Sequence, residues 1–298
     1  MNRTRASWLA DGALFAVALS WGFNFVIIKW TLDQMAPFQY LAIRFGLSAL
    51  VMLLLFARRL RVLSGREWRH GLIIGLFLFS AFAFQTVGLS YTTPGKSGFI
   101  TGLNVVLVPL LQWAVTRRFP GVNALVGAVV ATVGLGLLSL TGSFHLATGD
   151  LLTLICALLF AAHIVAIGRW SRSTDPAALA VIQIGVAALG NIGLALWLEP
   201  FRPVVSPFAA GSILYGALVG TVLAFTVQTA SQRWTPPSHT AVILSAEALF
   251  AGVFSVWLWG EALTPRSLLG AALILIGILA AELRKGDTAE SPPLELPA

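Results

Sequence analysis

The chain has 298 residues, 57% apolar and 10% charged, against about 45–50% and about 25% in an ordinary soluble domain. That balance excludes a soluble globule and makes this an integral membrane protein. The net charge of +7 and pI near 10.5 would suit nucleic acid, but the basic residues fall in short turns between apolar runs, where membrane topology accounts for them and no nucleic-acid partner is expected.

The one cysteine, Cys156, rules out an intrachain disulfide and a thiolate metal cluster; inside an apolar run it reads as a small buried side chain. Apolar runs of about 20 residues match the hydrocarbon core that a helix spans. Lipid offers no partner to unpaired backbone amides, so the expected fold is all-α; the ten-residue alternation of a membrane barrel is missing. In chain order the runs lie near 12–30, 37–57, 70–91, 95–115, 121–141, 149–168, 176–198, 207–230, 238–258 and 265–283. The first is too long for a signal-peptide core and lacks a cleavage-like end, so it is read as span one of ten transmembrane helices.

Turn and helix-start residues separate the runs: Ala36-Pro37, Thr93-Pro94-Gly95, Phe119-Pro120-Gly121, Asp175-Pro176, Ser206-Pro207, Pro236-Pro237 and Thr264-Pro265. Each puts proline near a first helical turn, where its missing amide hydrogen costs little. The polar, proline-rich tail, 286–298, is expected to be disordered and cytoplasmic. With both termini cytoplasmic, fourteen of the nineteen Lys and Arg residues lie on that side, from Arg3 and Arg5 to Arg284 and Lys285, while Lys29, Lys96, Arg202 and Arg266 lie outside. This asymmetry follows the positive-inside rule.

The two halves of the sequence also match each other. An offset of 143 residues aligns Gln85-Thr86 with Gln228-Thr229, Gly127-Ala128 with Gly270-Ala271 and Gly134 with Gly277. Earlier in the chain an offset of 139 aligns Ile43, Gly46 and Ala49 with Ile182, Gly185 and Ala188. The chain therefore reads as two five-helix repeats, 1–143 and 144–285. Five is odd, so the second repeat enters the membrane from the opposite side. Inverted repeats of this kind suit a secondary transporter, whose two halves exchange conformations around a site near the midplane.

Four motifs carry a resemblance: "SWGFNF" (20–25), "LAIRFGLSAL" (41–50), "ILSAEALF" (243–250) and "WGEALTPRSLLGAALILIGI" (259–278). Together they resemble the drug/metabolite transporter superfamily in its ten-span EamA-type branch, and within it the amino-acid exporters of the YddG type, known for aromatic amino acids. The resemblance implies a central cavity formed by spans one, three, four, six, eight and nine, with five and ten peripheral. Two departures stand out. Relatives often carry Pro where this chain has Ala248, which implies an unkinked span nine, and a Gly-Glu pair where it has Arg117-Arg118.

Polar side chains at membrane depth are expensive and usually face protein or water. In span four Ser97, Thr101 and Asn104 share one helical stripe, and Thr240 and Glu247 occupy the matching stripe of span nine. Other candidates are Trp21 and Asn24 in span one, Gln85 and Tyr91 in span three, His163 in span six, and Thr221 and Gln228 in span eight. Lys96 and His239 stand at equivalent places near the two mouths. Phe84, Phe99 and Trp257 join the set as cavity walls, a placement implied by the resemblance. The competing reading is hydrogen-bonded glue between helices for the amides and hydroxyls, and packing for the histidines. Glu247 would bind a substrate ammonium or carry a proton, or else lock the two halves together. Arg44 reads as structural, snorkelling or capping carbonyls.

The function expected is export of amino acids and related metabolites across the bacterial inner membrane by alternating access, with lipids and a small-molecule substrate as partners. Sugars, nucleotides or drugs are the alternative cargo, and an integral-membrane enzyme the alternative class. The four histidines are scattered and form no HExxH or His-Asp arrangement, so neither catalysis nor a metal is expected. No phosphate-binding GxxxxGK[ST] loop is present, and no cofactor is expected. Coupling ion and oligomeric state stay open.

Overall fold

The computed structural model describes residues 5–117, 119, 121–139, 147–200 and 206–282. Among them every regular element is helical. Helices α1 (Arg5–Leu32), α2 (Pro37–Leu60) and α3 (Gly65–Ser90) are followed by α4 (Pro94–Gly102) and α5 (Asn104–Thr116), one rod broken at Leu103. Next come α6 (Val122–Ser139), α7 (Thr148–Trp170) and α8 (Pro176–Leu198). Helix α9 (Pro207–Ala217) runs through a π-helical segment, Leu218–Leu223, into α10 (Ala224–Ser231). Helices α11 (Pro237–Leu244) and α12 (Ala246–Phe254) form a second broken rod that ends in another π segment, Ser255–Trp259, and α13 (Pro265–Glu282) closes the described chain.

Eight of these rods are long and apolar enough to cross a membrane; the apolar stretches of α6 and α13, Leu125–Leu137 and Pro265–Gly277, are shorter. Arg3, Arg118, His145, Arg202, Arg284, Lys285 and the tail 286–298 lie outside the described residues.

Local chemistry explains the helix starts. Pro37, Pro94, Pro176, Pro207 and Pro237 each occupy a first-turn position, and the side chains of Thr93, Asp175 and Ser206 accept the amide hydrogen three residues on. Helix α2 has no such cap of its own. Its orphan amides at Phe38 and Gln39 instead donate to the carboxylate of Glu199, at 2.9 and 2.7 Å, which ties the start of α2 to the end of α8. Span nine, expected to be unkinked because Ala248 stands where a proline would bend it, is interrupted all the same: the turn at Ser245 breaks it, and Ser245 Oγ donates to Val242 O at 2.6 Å. At the end of α5, Arg117 adopts φ 57°, a left-handed conformation that glycine takes far more readily.

The surface is rich in exposed apolar side chains, and the largely apolar interior also holds polar and charged side chains that a soluble protein would keep outside. Leu54, Leu189, Leu196 and Trp197 are exposed, whereas Asn24, Arg44, Asp150, Gln183 and Glu247 are buried. With eight spans this makes a multi-pass membrane protein. Helices approach closely where small residues meet. A Cβ on Gly134 of α6 would lie 2.6 Å from Gly270 O of α13, and one on Gly277 of α13 would lie 2.6 Å from Gly127 O of α6. The two contacts are reciprocal, and any side chain there would drive the helices apart.

Candidate functional site

A cavity opens among the helices, a common place for small-molecule sites in helical bundles. Helix α1 supplies Trp21, Asn24, Phe25 and Ile28, and α3 supplies Phe82 and Gln85. Asn104 and Glu247 enter from α5 and α12, each just past the break in its rod, and Leu244 from α11. Phe160 and Ile164 of α7 and Gln228 of α10 close the wall, and Arg44 reaches in from α2.

The polar atoms are held by a widened turn. A π segment leaves acceptors in and just before it outside the ordinary α ladder, and two side chains use them. Trp21 Nε1 donates to Gly220 O at 2.9 Å, Arg44 Nη2 to the same oxygen at 3.3 Å, and Arg44 Nε to Gly216 O at 3.1 Å and Thr221 Oγ1 at 2.9 Å. Arg44 is 0% exposed and does not snorkel. Its guanidinium lies 4.9 Å from the centre of the Phe82 ring, a cation–π contact, and its remaining nitrogen, Nη1, has no partner.

The acceptors are less committed. Asn24 Oδ1, Asn104 Oδ1 and Gln228 Oε1 are buried and unpartnered. Glu247, 4% exposed, joins no ion pair among the described residues. Gln85 Nε2 reaches Thr101 Oγ1 only at 3.4 Å. Each amide can present either end to a ligand by turning about its last torsion. The cavity thus combines indole, phenyl and aliphatic walls with one guanidinium, one carboxylate and four amides.

The other candidates lie elsewhere. Thr101 is buried and touches the cavity only through Gln85. His163 stands behind the wall, its Nε2 2.7 Å from Gln183 Oε1 and its ring edge-on to Phe160 and Phe225. Phe84 is half-buried away from the lining, and Phe99 packs over Gly252. Tyr91, at the end of α3, is 67% exposed and Trp257 75%. Both were placed in the set by span, but only one face of a helix meets a cavity, and theirs turn outward. Lys96 pairs with Asp150 at 2.8 Å and His239 with Asp11 at 3.2 Å, each at the start of its broken rod.

The family follows from the sequence once this geometry is in view. The model of the EamA-like transporter family matches twice, over residues 8–140 and again over 147–282. The chain belongs to the EamA-like transporter family. This membrane transporter is 36% identical to an uncharacterized transporter of Archaeoglobus fulgidus over 275 residues, covering 92% of its own length and 86% of the relative's. It is 26% identical to the uncharacterized transporter YwfM of Bacillus subtilis, covering 92% and 94%. A probable amino-acid metabolite efflux pump of Escherichia coli shares 27% over 291 residues, covering 90% and 93%. A solved crystal structure superposes with a TM-score of 0.70 at 20% identity, covering 92% of this chain and 96% of the other, a likeness of fold.

Four residues of this EamA-like transporter escaped the sequence-based candidate set: Arg44 as a cavity group, and Asp11, Asp150 and Glu261. Glu261 accepts from Thr93 Oγ1 at 2.6 Å, from Gly95 N at 3.1 Å and from Ser255 Oγ, bracing the start of α4 against the end of the α11–α12 rod. A signal for the aspartates was available, since Asp11 and Asp150 stand 139 residues apart, the offset that relates spans two and seven. Thr92 Oγ1 donates to Asp150 at 2.7 Å and Thr235 Oγ1 to Asp11 at 3.4 Å, so the start of each broken rod repeats a cluster of Thr, Asp and a basic residue.

Proposed function

We propose that this transporter exports amino acids, aromatic ones among them, and related small metabolites across the cytoplasmic membrane. In this reading ten helices form two inverted five-helix repeats with both termini in the cytoplasm, and the protein works by alternating access. The observation that carries it is the cavity itself: one chamber, with walls from both sequence halves, in which apolar rings surround polar atoms of both charges. Such a lining fits a solute with an apolar side chain and a charged or hydrogen-bonding end. Two rods broken beside Asn104 and Glu247 support the mechanism, because discontinuous helices at the binding site recur in secondary transporters. The E. coli relative described as an amino-acid metabolite efflux pump supports the cargo.

These two clusters supply the gates in this reading, the Lys96 cluster outside and the His239 cluster on the cytoplasmic side. The test is flux in proteoliposomes against a panel of amino acids, with and without a pH gradient. Amino-acid flux is the expected result; flux of sugars, nucleotides or drugs with none of amino acids would replace the cargo. Flux that ignores the gradient would remove a proton role from Glu247.

A further inference from the structure

Arg44 is the one cation lining the cavity among the described residues, and the protein does not neutralise it. Its three hydrogen bonds go to two carbonyls and a hydroxyl. The rings of Phe82, Phe45 and Tyr40, with centres 4.9, 5.5 and 6.0 Å from its guanidinium carbon, enclose it. A guanidinium enclosed this way and left without a counter-anion is costly, and the cost falls when an anion arrives. A purely structural arginine would be expected to use all its nitrogens, but Nη1 is buried and unpartnered on a side chain that lines the chamber. Nε and Nη2 fix the guanidinium plane, so Nη1 needs no reordering to donate.

We infer that Arg44 Nη1 binds the carboxylate of the transported solute, and that a free carboxylate is the feature the cavity requires. This deepens the amino-acid reading above and rests on it. Charge balance selects a carboxylate over a phosphate. The same chamber holds the carboxyl group of Glu247, which forms no ion pair among the described residues, so the second charge of a dianion would meet no further cation there. A zwitterion meets one of each: its carboxylate accepts from Arg44, while its ammonium donates to Glu247 and to the free oxygens of Asn104 or Gln228. Arg44 also joins occupancy to movement, because the side chain that takes the carboxylate grips the end of α9 at Gly216 and the π segment at Gly220 and Thr221.

The test is calorimetric binding to the purified full-length protein of L-phenylalanine and L-leucine, of their amides, and of the matching 2-oxo acids. The amides keep the ammonium and side chain but lose the negative charge; the oxo acids keep the carboxylate and lose the ammonium. At least tenfold weaker binding of the amides, with measurable binding of the oxo acids, is expected of the native protein, a comparison that needs no variant. In Arg44→Gln the preference for acid over amide should disappear, and in Arg44→Lys it should return in part. Equal binding of acid and amide, or no binding by any carboxylate probe, would overturn the inference. Binding of the carboxylates without amino-acid flux in proteoliposomes would leave the subsite standing and remove amino acids as the cargo.

Discussion

The ammonium of Lys96 lies 2.8 Å from the carboxylate of Asp150, one side chain a quarter exposed and the other fully enclosed. The pair fastens the first turn of α4 to the first turn of α7. Removing one member of a buried pair strands the other, at about 3–5 kcal/mol, and the partial exposure of Lys96 puts the expected loss near the low end. Lys96→Ala should lower the unfolding temperature in detergent, while Lys96→Gln with Asp150→Asn should lower it less. Neither residue lines the cavity, so the maximal transport rate should change while the apparent affinity stays. Unchanged kinetics in Lys96→Ala would remove the gate assigned to this cluster.

Glu247→Gln keeps the shape of the side chain and removes its charge. A hydrogen bond to a charged group is worth about 1.5–3 kcal/mol, so affinity for amino acids should fall about tenfold to a hundredfold. The 2-oxo acids, which have no ammonium, should bind at least as well as before. Binding titrations on the variant check both.

Alternating access requires that the chamber meet both aqueous phases in turn. With Cys156, buried and the one cysteine of the chain, replaced by Ala, single cysteines at Asn24 and Glu247 should react with a membrane-impermeant thiol reagent from either side. Saturating substrate should slow both reactions. Protection of neither position from labelling, or labelling from one side alone, would contradict the mechanism.

Arg117 is the one non-glycine residue with positive φ among those described. The left-handed conformation costs an L-residue about 1–2 kcal/mol, so Arg117→Gly should raise the unfolding temperature and leave transport untouched. Equal stability of the two proteins would show that the side chain compensates.

How much was legible beforehand depended on whether a feature is local. Proline starts could be read because a fixed φ and a missing donor act within one turn. The all-helical fold could be read because lipid leaves the backbone few choices. Asn24, Gln85, Asn104, Gln228 and Glu247 could be flagged because polarity at depth marks a residue wherever its helix points, and the structure gathers all five around one chamber. Which way a large side chain faces is decided by packing partners far along the chain. Trp257 and Tyr91 could therefore be assigned to a span but not to a face. Arg44 needed a carbonyl and a hydroxyl of a π turn, at Gly220 and Thr221, 176 and 177 residues later, and π turns have no reliable sequence mark.

That turn, Leu218–Leu223, also takes up an extra residue without turning the helix beyond it. An α-helix advances by about 100° per residue, and a π-bulge holds one residue more than the α-helix would. Deleting a single residue there would restore an unbroken α-helix with its flanks still in phase, leaving Gln228 on the chamber wall but returning to the α ladder the oxygens that orient Arg44 and Trp21. The character of the chamber is thus set partly by a count of residues in α9–α10, so a one-residue deletion there would alter it more than most substitutions.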